Sequence, residues 1–290
     1  MIVRSLNEFS AVTSGNIGTN KVIGAPETWE NSSILLEGYN NILVFDGNVK
    51  LCDSHIKIKG HDSIVYICGA KYSKTRLNLT IYNKSVFFLG RNTATTKLLT
   101  VVLSEQRHVF IGANCLFSFD IFIRNSDAHL IYDTATKKRT NPSLSTYIGD
   151  HVWIGQEALI CKGAKIGSGS IIGARSFVSN IVIPSNRTAV GVPCKVIDKS
   201  VFWERPCIHD FDDEKIARYS TCESNAYVYE KDRHTHSFEN MEKTINSLSN
   251  VDERYEYIKT NFADKYRKNR FFIESGKTKR KPSFFSKVIK

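Results

Sequence analysis

Residues 148–178 read IGDHVWIGQEALICKGAKIGSGSIIGARSFV, and every sixth position (Ile148, Ile154, Ile160, Ile166, Ile172, Val178) is a branched aliphatic. An amphipathic helix returns its apolar residues at three and four, and a half-buried strand at two, so neither accounts for a period of six. Four places after each of the first five aliphatics stands a small or β-branched residue: Val152, Ala158, Ala164, Ser170 and Ser176. Glycine follows the aliphatic at Gly149, Gly155, Gly167 and Gly173. A chain wound round a triangular prism asks for this pattern, with one short strand per face, the aliphatic pointing inward and glycine at the corner. The stretch therefore reads as a parallel β-helix of hexapeptides.

Upstream, four hydrophobic blocks end on a glycine: NNILVFDG at Gly47, SIVYICG at Gly69, KSVFFLG at Gly90 and RHVFIG at Gly112. Between them lie further β-rich runs, HIKIKG, LNLTIY, LLTVVL and FDIFIR. Their spacing of about 22 residues fits one turn of a three-sided helix with extra residues in the corners. The repeat thus predicts a continuous solenoid from about residue 35, stabilised by stacking of neighbouring coils; a separate N-terminal sandwich is the alternative. The expected layout is an N-terminal segment (1–34), a β-helix domain (35–197), a helical C-terminal region (198–275) and a basic tail (276–290). Helices are expected after Asp212 and Asp213 and from Asn250 to Asn269, where Val251, Tyr255, Ile258, Phe262 and Tyr266 recur at near-helical intervals.

Composition bounds the function. At 290 residues and 41% hydrophobic content the chain has ample material for a core. Its first residues lack a basic segment followed by an apolar run, and no stretch has the length of a membrane span, so a cytoplasmic protein is expected. Seven cysteines are scattered without a CxxC spacing, which argues against disulfides and a zinc-thiolate site. The net charge of +11 would suggest nucleic acid if it were spread over the chain. Instead ten Lys or Arg and one acid fall between Lys265 and Lys290, leaving the rest nearly balanced. The tail KTKRKPSFFSKVIK interleaves cations with Phe284, Phe285, Val288 and Ile289. It suits an anionic polymer or the inner face of a membrane, and nucleic acid is not expected as a partner.

The regular count is interrupted once. From Gly112 to Gly149 the sequence passes through NSDAHLIYDTATKKRTNPSLST (125–146), polar and without a full set of inward aliphatics. A loop thrown out of a compact repeat tends to carry function. It holds His129, flanked by Asp127 and Tyr132, and an imidazole can take a proton from a hydroxyl near neutral pH. Asp127 has two readings, orienting His129 or binding an acceptor hydroxyl on one side and forming a turn on the other.

Residues 126–197 resemble the left-handed β-helix acyltransferases, the hexapeptide-repeat family of galactoside, chloramphenicol and capsule O-acetyltransferases. The segments SDAHLIYD, IGDHVWIG, GAKIGSGSIIGARSFVS and VGVPCKVI carry the likeness, in the family's order. The resemblance implies an all-β solenoid with a protruding catalytic loop, and helices after it. It implies His129 as general base and Trp153 at the mouth of an acceptor site with Asp127 and Tyr132. It also implies acetyl-coenzyme A as co-substrate, with Gly155, Ala174 and Ser179 along the pantetheine arm. Lys195 then meets a phosphate, and because Asn180 stands where many relatives carry a lysine, Arg175, Arg187 or Lys195 carries more of that contact. The implied acceptor is a carbohydrate, a capsular or surface polysaccharide that includes sialic-acid polymers, and the implied assembly is a homotrimer with sites between prisms. Alternatives are N-acetylation of an amino-sugar nucleotide, acylation of a drug, and a non-catalytic β-helix that only binds. His108 and His151 invite comparison with a zinc-bearing β-helix enzyme, but that resemblance calls for three histidines, two closely spaced within the solenoid. The close pair here, His234 and His236, falls in the C-terminal region, and His151 sits at a turn corner where polar residues are common, so no metal is expected.

Overall fold

The structure, a computed structural model, describes residues 1–13, 18–263 and 266–276. It is a left-handed parallel β-helix with three faces. The first face stacks eight strands from Ile2–Val3 to Phe177–Val178, and the second stacks eight from Lys21–Ile23 to Val182–Ile183. The third carries six, from Ala94–Thr95 to Lys195–Ser200, preceded by the pair Thr28–Glu30 and Lys50–Cys52. Rungs are parallel except at the two ends, where Ile2–Val3 and Lys195–Ser200 pair antiparallel. The winding begins at Lys21, ahead of residue 35, since Lys21–Ile23 already pairs with Ile42–Val44. The helix α1 (Leu6–Thr13) closes the open end of the prism by placing Phe9 edge-on against Phe45 at 5.6 Å and beside Trp29 at 5.8 Å.

All six hexad aliphatics are fully buried, and Val152, Ala158, Ala164, Ser170 and Ser176 are buried beside them. The corner itself differs from the expectation. The residue that reverses the chain lies three places after the aliphatic: His151, Glu157, Gly163, Gly169 and Arg175 all have left-handed φ, again at intervals of six. The glycine after the aliphatic meets a different demand. A Cβ on Gly149 would lie 2.6 Å from the Ser168 amide, and one on Gly155 2.6 Å from the Ala174 amide. Glycine is needed there because the next coil passes directly overhead.

Stacking also explains the irregular register. Hydrogen-bonded neighbours are 22 residues apart in the early coils and 18 in the hexads. Across the polar loop the separation is 37. One coil and a loop, rather than two coils, fill that interval.

The second face is the one covered from outside. Its outward residues Tyr66, Phe88, Phe110 and Tyr147 stand in register and stack at 5.5–5.8 Å. Such pairs contribute about 0.5–1.5 kcal/mol each beyond their burial. The C-terminal chain lies over this aromatic column. After a short helix α2 (Asp213–Arg218, capped by Asp212), it forms α3 (Phe238–Ser247, capped by Ser237) and α4 (Val251–Ile258, capped by Asn250). Phe238 stacks on Tyr147 at 4.9 Å, and Phe262 meets Phe110 at 5.7 Å. Met241, Ile245, Val251, Ile258 and Phe271 complete this second core. The remainder of 198–275 is largely extended chain and turns, so helix is confined to short pieces. The basic tail from residue 277 onward lies outside the described residues.

Among the ion pairs that tie the wrap to the prism, one is almost wholly buried. Arg270 donates from Nε and Nη2 to both oxygens of Asp150 at 2.8 Å, and from Nη1 to the Phe262 carbonyl at 2.7 Å, with both side chains almost wholly buried. Asp150 also accepts from the Ala113 amide, so one carboxylate ties the C-terminal chain to the corner before the hexads. Removing one partner of such a pair leaves a buried charge without compensation, at a cost of about 3–5 kcal/mol. Asp150→Asn is therefore expected to lower urea stability by that amount. The double change Asp150→Leu with Arg270→Met should recover most of it, and recovery of nothing would show that the charge pair is not the fastening.

Candidate active site

The polar loop leaves the prism after the first-face strand Ile121–Arg124 and returns at the second-face strand Thr146–Ile148. It is a small hairpin. Tyr132 bridges Arg139, the Thr140 amide donates to the Ile131 carbonyl and the Asp133 amide to the Lys138 carbonyl. The Asp133 carboxylate closes the tip by accepting from the amides of Ala135 and Thr136.

Asn141, only 5% exposed, grips this hairpin from within. Its Nδ2 donates to the His129 carbonyl at 2.7 Å and to the Asp127 carboxylate at 3.0 Å. Its Oδ1 accepts from the Ile131 amide at 2.9 Å and from Arg139 Nε at 3.2 Å. The main chain is thus held on both sides of Leu130. Arg139 in turn forms a two-pronged pair with Glu105, at 2.5 and 2.9 Å, and Glu105 accepts from the Ser143 amide and hydroxyl. These bonds, the arginine first, hold the Glu105 carboxyl down at about 2. The loop is pinned to a solenoid corner at its base.

The expected loop residues fall as follows. His129 is exposed, and its ring has no hydrogen-bond partner among the described residues. Asp127 does not reach that ring; its carboxylate pairs with Lys162 at 2.5 Å and with Asn141. Burial pushes this carboxyl up, but the bonds from Lys162 and Asn141 outweigh it and leave it below its ordinary value. Tyr132 is 54% exposed, beside the exposed Leu130 and Ile131. A depression of about 340 Å³ at the loop base is lined by Glu105, Arg107, Arg139 and Ser143, and does not include His129.

The other expected residues lie elsewhere on the prism. Trp153, 38% exposed, projects from the third face in register with Leu116 and Ile171. Gly155 and Ala174 are stacked at the corner that leads from the third face to the first. Arg175 is at that same corner, where its Nε donates to Glu157 at 2.7 Å. The hairpin is anchored at the opposite edge of the first face, by Lys162 and by Leu144 against Gly163. Ser179 follows Phe177–Val178 toward the hairpin's edge, and Lys195 begins the closing antiparallel strand. One chain therefore keeps His129 and the Gly155, Ala174 and Arg175 corner apart.

Two histidines are occupied structurally. His151, expected at an ordinary polar corner, is fully buried between the rings of Trp203 (4.0 Å) and Tyr227 (3.7 Å), and its Nε2 meets the Trp203 carbonyl at 2.9 Å. Trp203 Nε1 returns a bond to the His151 carbonyl and lies 6.0 Å from the Trp153 ring. His108 accepts from the Val86 amide at Nδ1 and meets Asn246 of α3 at Nε2. Burial pushes both imidazoles down to about 4. Among the described residues no three His, Cys, Asp or Glu side chains are grouped to hold a metal, all seven cysteines are free thiols, and no helix is long and apolar enough to cross a membrane.

Sequence reasoning did not find Glu105, Arg139, Asn141, Lys162 or Trp203. They lie in different coils or outside the repeat, and no interval in the sequence marks their meeting.

Comparison with known proteins adds the following. Residues 145–180 match the family described as bacterial transferase hexapeptide (six repeats). A polysialic acid O-acetyltransferase of Escherichia coli O1:K1 / APEC is 30% identical over 156 residues, 53% of this chain and half the length of that relative. A polysialic acid O-acetyltransferase of Neisseria meningitidis is 24% identical over 70% of this chain and 92% of its own. The crystal structure of the polySia-specific acetyltransferase NeuO superposes with a TM-score of 0.60 at 27% identity, covering 70% of this chain and 94% of that one.

Two outcomes follow from the geometry. Asn141→Ala should speed hydrogen exchange at the Ile131 and Thr140 amides while leaving the solenoid amides unchanged. Uniform exchange across the loop in both proteins would remove Asn141 as its clamp. The buried histidines set a pH dependence. Between pH 6.5 and about 4 the unfolded chain binds protons that the native state refuses, so stability is full above 6.5 and falls as pH drops through about 4, by up to about 1.4 kcal/mol per pH unit per histidine. His151→Asn, which tolerates the left-handed φ of 52° there, should remove one share of that slope in urea titrations at several pH values.

Proposed function

We propose, from the premise that this chain is a hexapeptide-repeat left-handed β-helix of the acetyltransferase type, that it transfers acetyl from acetyl-coenzyme A to a hydroxyl of a carbohydrate. The observation that carries this reading is the exposed His129 on a pinned hairpin at the edge of a prism that superposes on a polySia-specific acetyltransferase. The acceptor is a bacterial capsular or surface polysaccharide, with sialic-acid polymers the first to test, since two relatives bear that name.

His129 removes the hydroxyl proton as the oxygen attacks the thioester carbonyl. The new C–O bond forms, the C–S bond breaks, and the proton passes to the departing thiol of coenzyme A. A hydroxyl does not ionise at neutral pH, so a base at this point is worth on the order of 10²–10⁴ in rate. No covalent enzyme intermediate is needed, which fits thiols that burial holds in the protonated form at Cys68, Cys115 and Cys194. The corner where Ala174 is exposed above the buried Gly155 is the surface this reading gives to a pantetheine arm, with Ser179 along it and Arg175 and Lys195 toward the phosphates. Trp153 offers a ring on which a sugar can stack, and Tyr132 another.

Because one chain separates His129 from that corner, the reading includes a homotrimer in which the hairpin of one prism faces the corner of the next. Exposed Leu130, Ile131, Trp153, Phe177 and Val192 are apolar surface of the kind such a contact buries.

Incubation of polysialic acid with acetyl-coenzyme A and the protein, read by mass spectrometry, should show added acetyl groups. His129→Ala should lower turnover by at least about a hundredfold while coenzyme A still binds. Unchanged turnover would remove His129 from the mechanism, and no transfer to any polysaccharide by the parent protein would favour a β-helix that only binds.

A further inference from the structure

We infer that Arg124 forms, beside His129, a subsite for a carboxylate carried by the acceptor sugar; the inference rests on acyl transfer at His129 as proposed above. Arg124 is the last residue of the strand from which the hairpin departs. That strand alternates buried and partly buried residues, so Ile121 and Ile123 enter the core while Phe122 and Arg124 face outward. In register it is flanked by Val102 and Cys161, neither of which can neutralise a guanidinium. Its Nε is buried and has no hydrogen-bond partner, and the side chain enters no ion pair among the described residues.

The neighbouring charges make this unusual. At the base of the hairpin Arg139 is committed to Glu105 and Arg107 to Glu242. Asp127, whose carboxyl feels the Arg124 charge, is already paired with Lys162. One cation at the foot of the hairpin is left without a counter-charge. With Nε closed to solvent, the donors left for a partner are the two Nη groups, which make no hydrogen bond among the described residues and which a guanidinium presents as a planar fork. The group that completes it is a planar anion able to accept two parallel N–H bonds, which is a carboxylate.

Its position selects the acceptor over coenzyme A. The charge lies at the base of the loop that carries the proton acceptor, so it meets whatever brings the hydroxyl to His129. The phosphates of coenzyme A are separated from the thioester by the whole pantetheine arm, and the cations assigned to them, Arg175 and Lys195, lie away from this edge. An acidic sugar would thus be held by its carboxylate at Arg124 while one of its hydroxyls reaches His129, with the neighbouring Phe122 against the ring.

The test uses full-length protein, a short polysialic acid chain and the same chain with its carboxyls converted to methyl esters. Steady-state transfer and saturation-transfer NMR binding are both measured for the parent protein, Arg124→Gln and Arg124→Lys. The parent should prefer the acid over the ester by about tenfold to a hundredfold in kcat/KM and in affinity. Arg124→Gln should lose that preference with the KM for acetyl-coenzyme A unchanged, and Arg124→Lys should retain part of it. A raised KM for acetyl-coenzyme A in Arg124→Gln would assign the arginine to a phosphate and overturn the inference. So would equal handling of acid and ester by the parent. Should the parent bind the acid by NMR through Arg124 yet transfer no acetyl, the proposed reaction fails while the carboxylate subsite stands.

Discussion

The distance between successive coils is the constraint on which the rest depends. Parallel rungs sit about 4.8 Å apart, and at the corners the chain must turn without any side chain entering that gap. Gly112, Gly149, Gly155 and Gly167 each lie so close to the next coil that a Cβ would come within 2.7 Å of its backbone or a short serine side chain. The aliphatic before each glycine is then fixed inward, and the residue two places after it is forced into left-handed φ to start the next face. Everything outside the prism, the hairpin, the aromatic column and the C-terminal wrap, is attached to positions that this stacking places in register.

The three faces are treated differently, and the difference directs the chemistry. The second face carries large outward aromatics in register and is sealed by the C-terminal chain through Phe238, Phe262 and the Arg270 pair. The first and third faces keep Phe177 and Trp153 outward and exposed, with Ile171 partly so, although Trp203 approaches the Trp153 ring. A face that is sealed cannot receive a substrate or another prism, so ligands are left the two open faces and the corners that bound them. Those corners hold His129 on one side and Gly155 with Ala174 on the other.

The prism was legible because its demand is periodic. Each hexad repeats the same inward position, so Ile148 to Val178 announce themselves, and the early coils do so more faintly through glycines at Gly47, Gly69, Gly90 and Gly112. The loop was legible as a failure of that period. What the period could not convey was contact between coils. Asn141 reaches back to His129 and Ile131, and Arg139 reaches Glu105 at a separation of 34 residues, through side chains whose spacing follows no rule. His151 shows the same limit from the other direction. Its place in the hexad marks a polar corner, yet Trp203 and Tyr227, both outside the repeat, fold over it and bury it.

An ejected hairpin also solves a problem that the hexads cannot. Inward positions of the coil are closed to solvent, and outward positions of a flat face give a side chain no support from its own coil. The base of the proposed reaction would need both exposure and a fixed position, since misplacement of reacting groups is costly. The hairpin separates these tasks. Asn141, buried, holds the main chain on both sides of Leu130, while the exposed His129 ring has no hydrogen-bond partner among the described residues. The charges around it are cancelled in pairs, Glu105 with Arg139 and Asp127 with Lys162, so the hairpin can be pinned without a large local field. Arg124, at the foot of the hairpin, enters no ion pair among the described residues, and at short range a partly buried charge of this kind is poorly screened by salt.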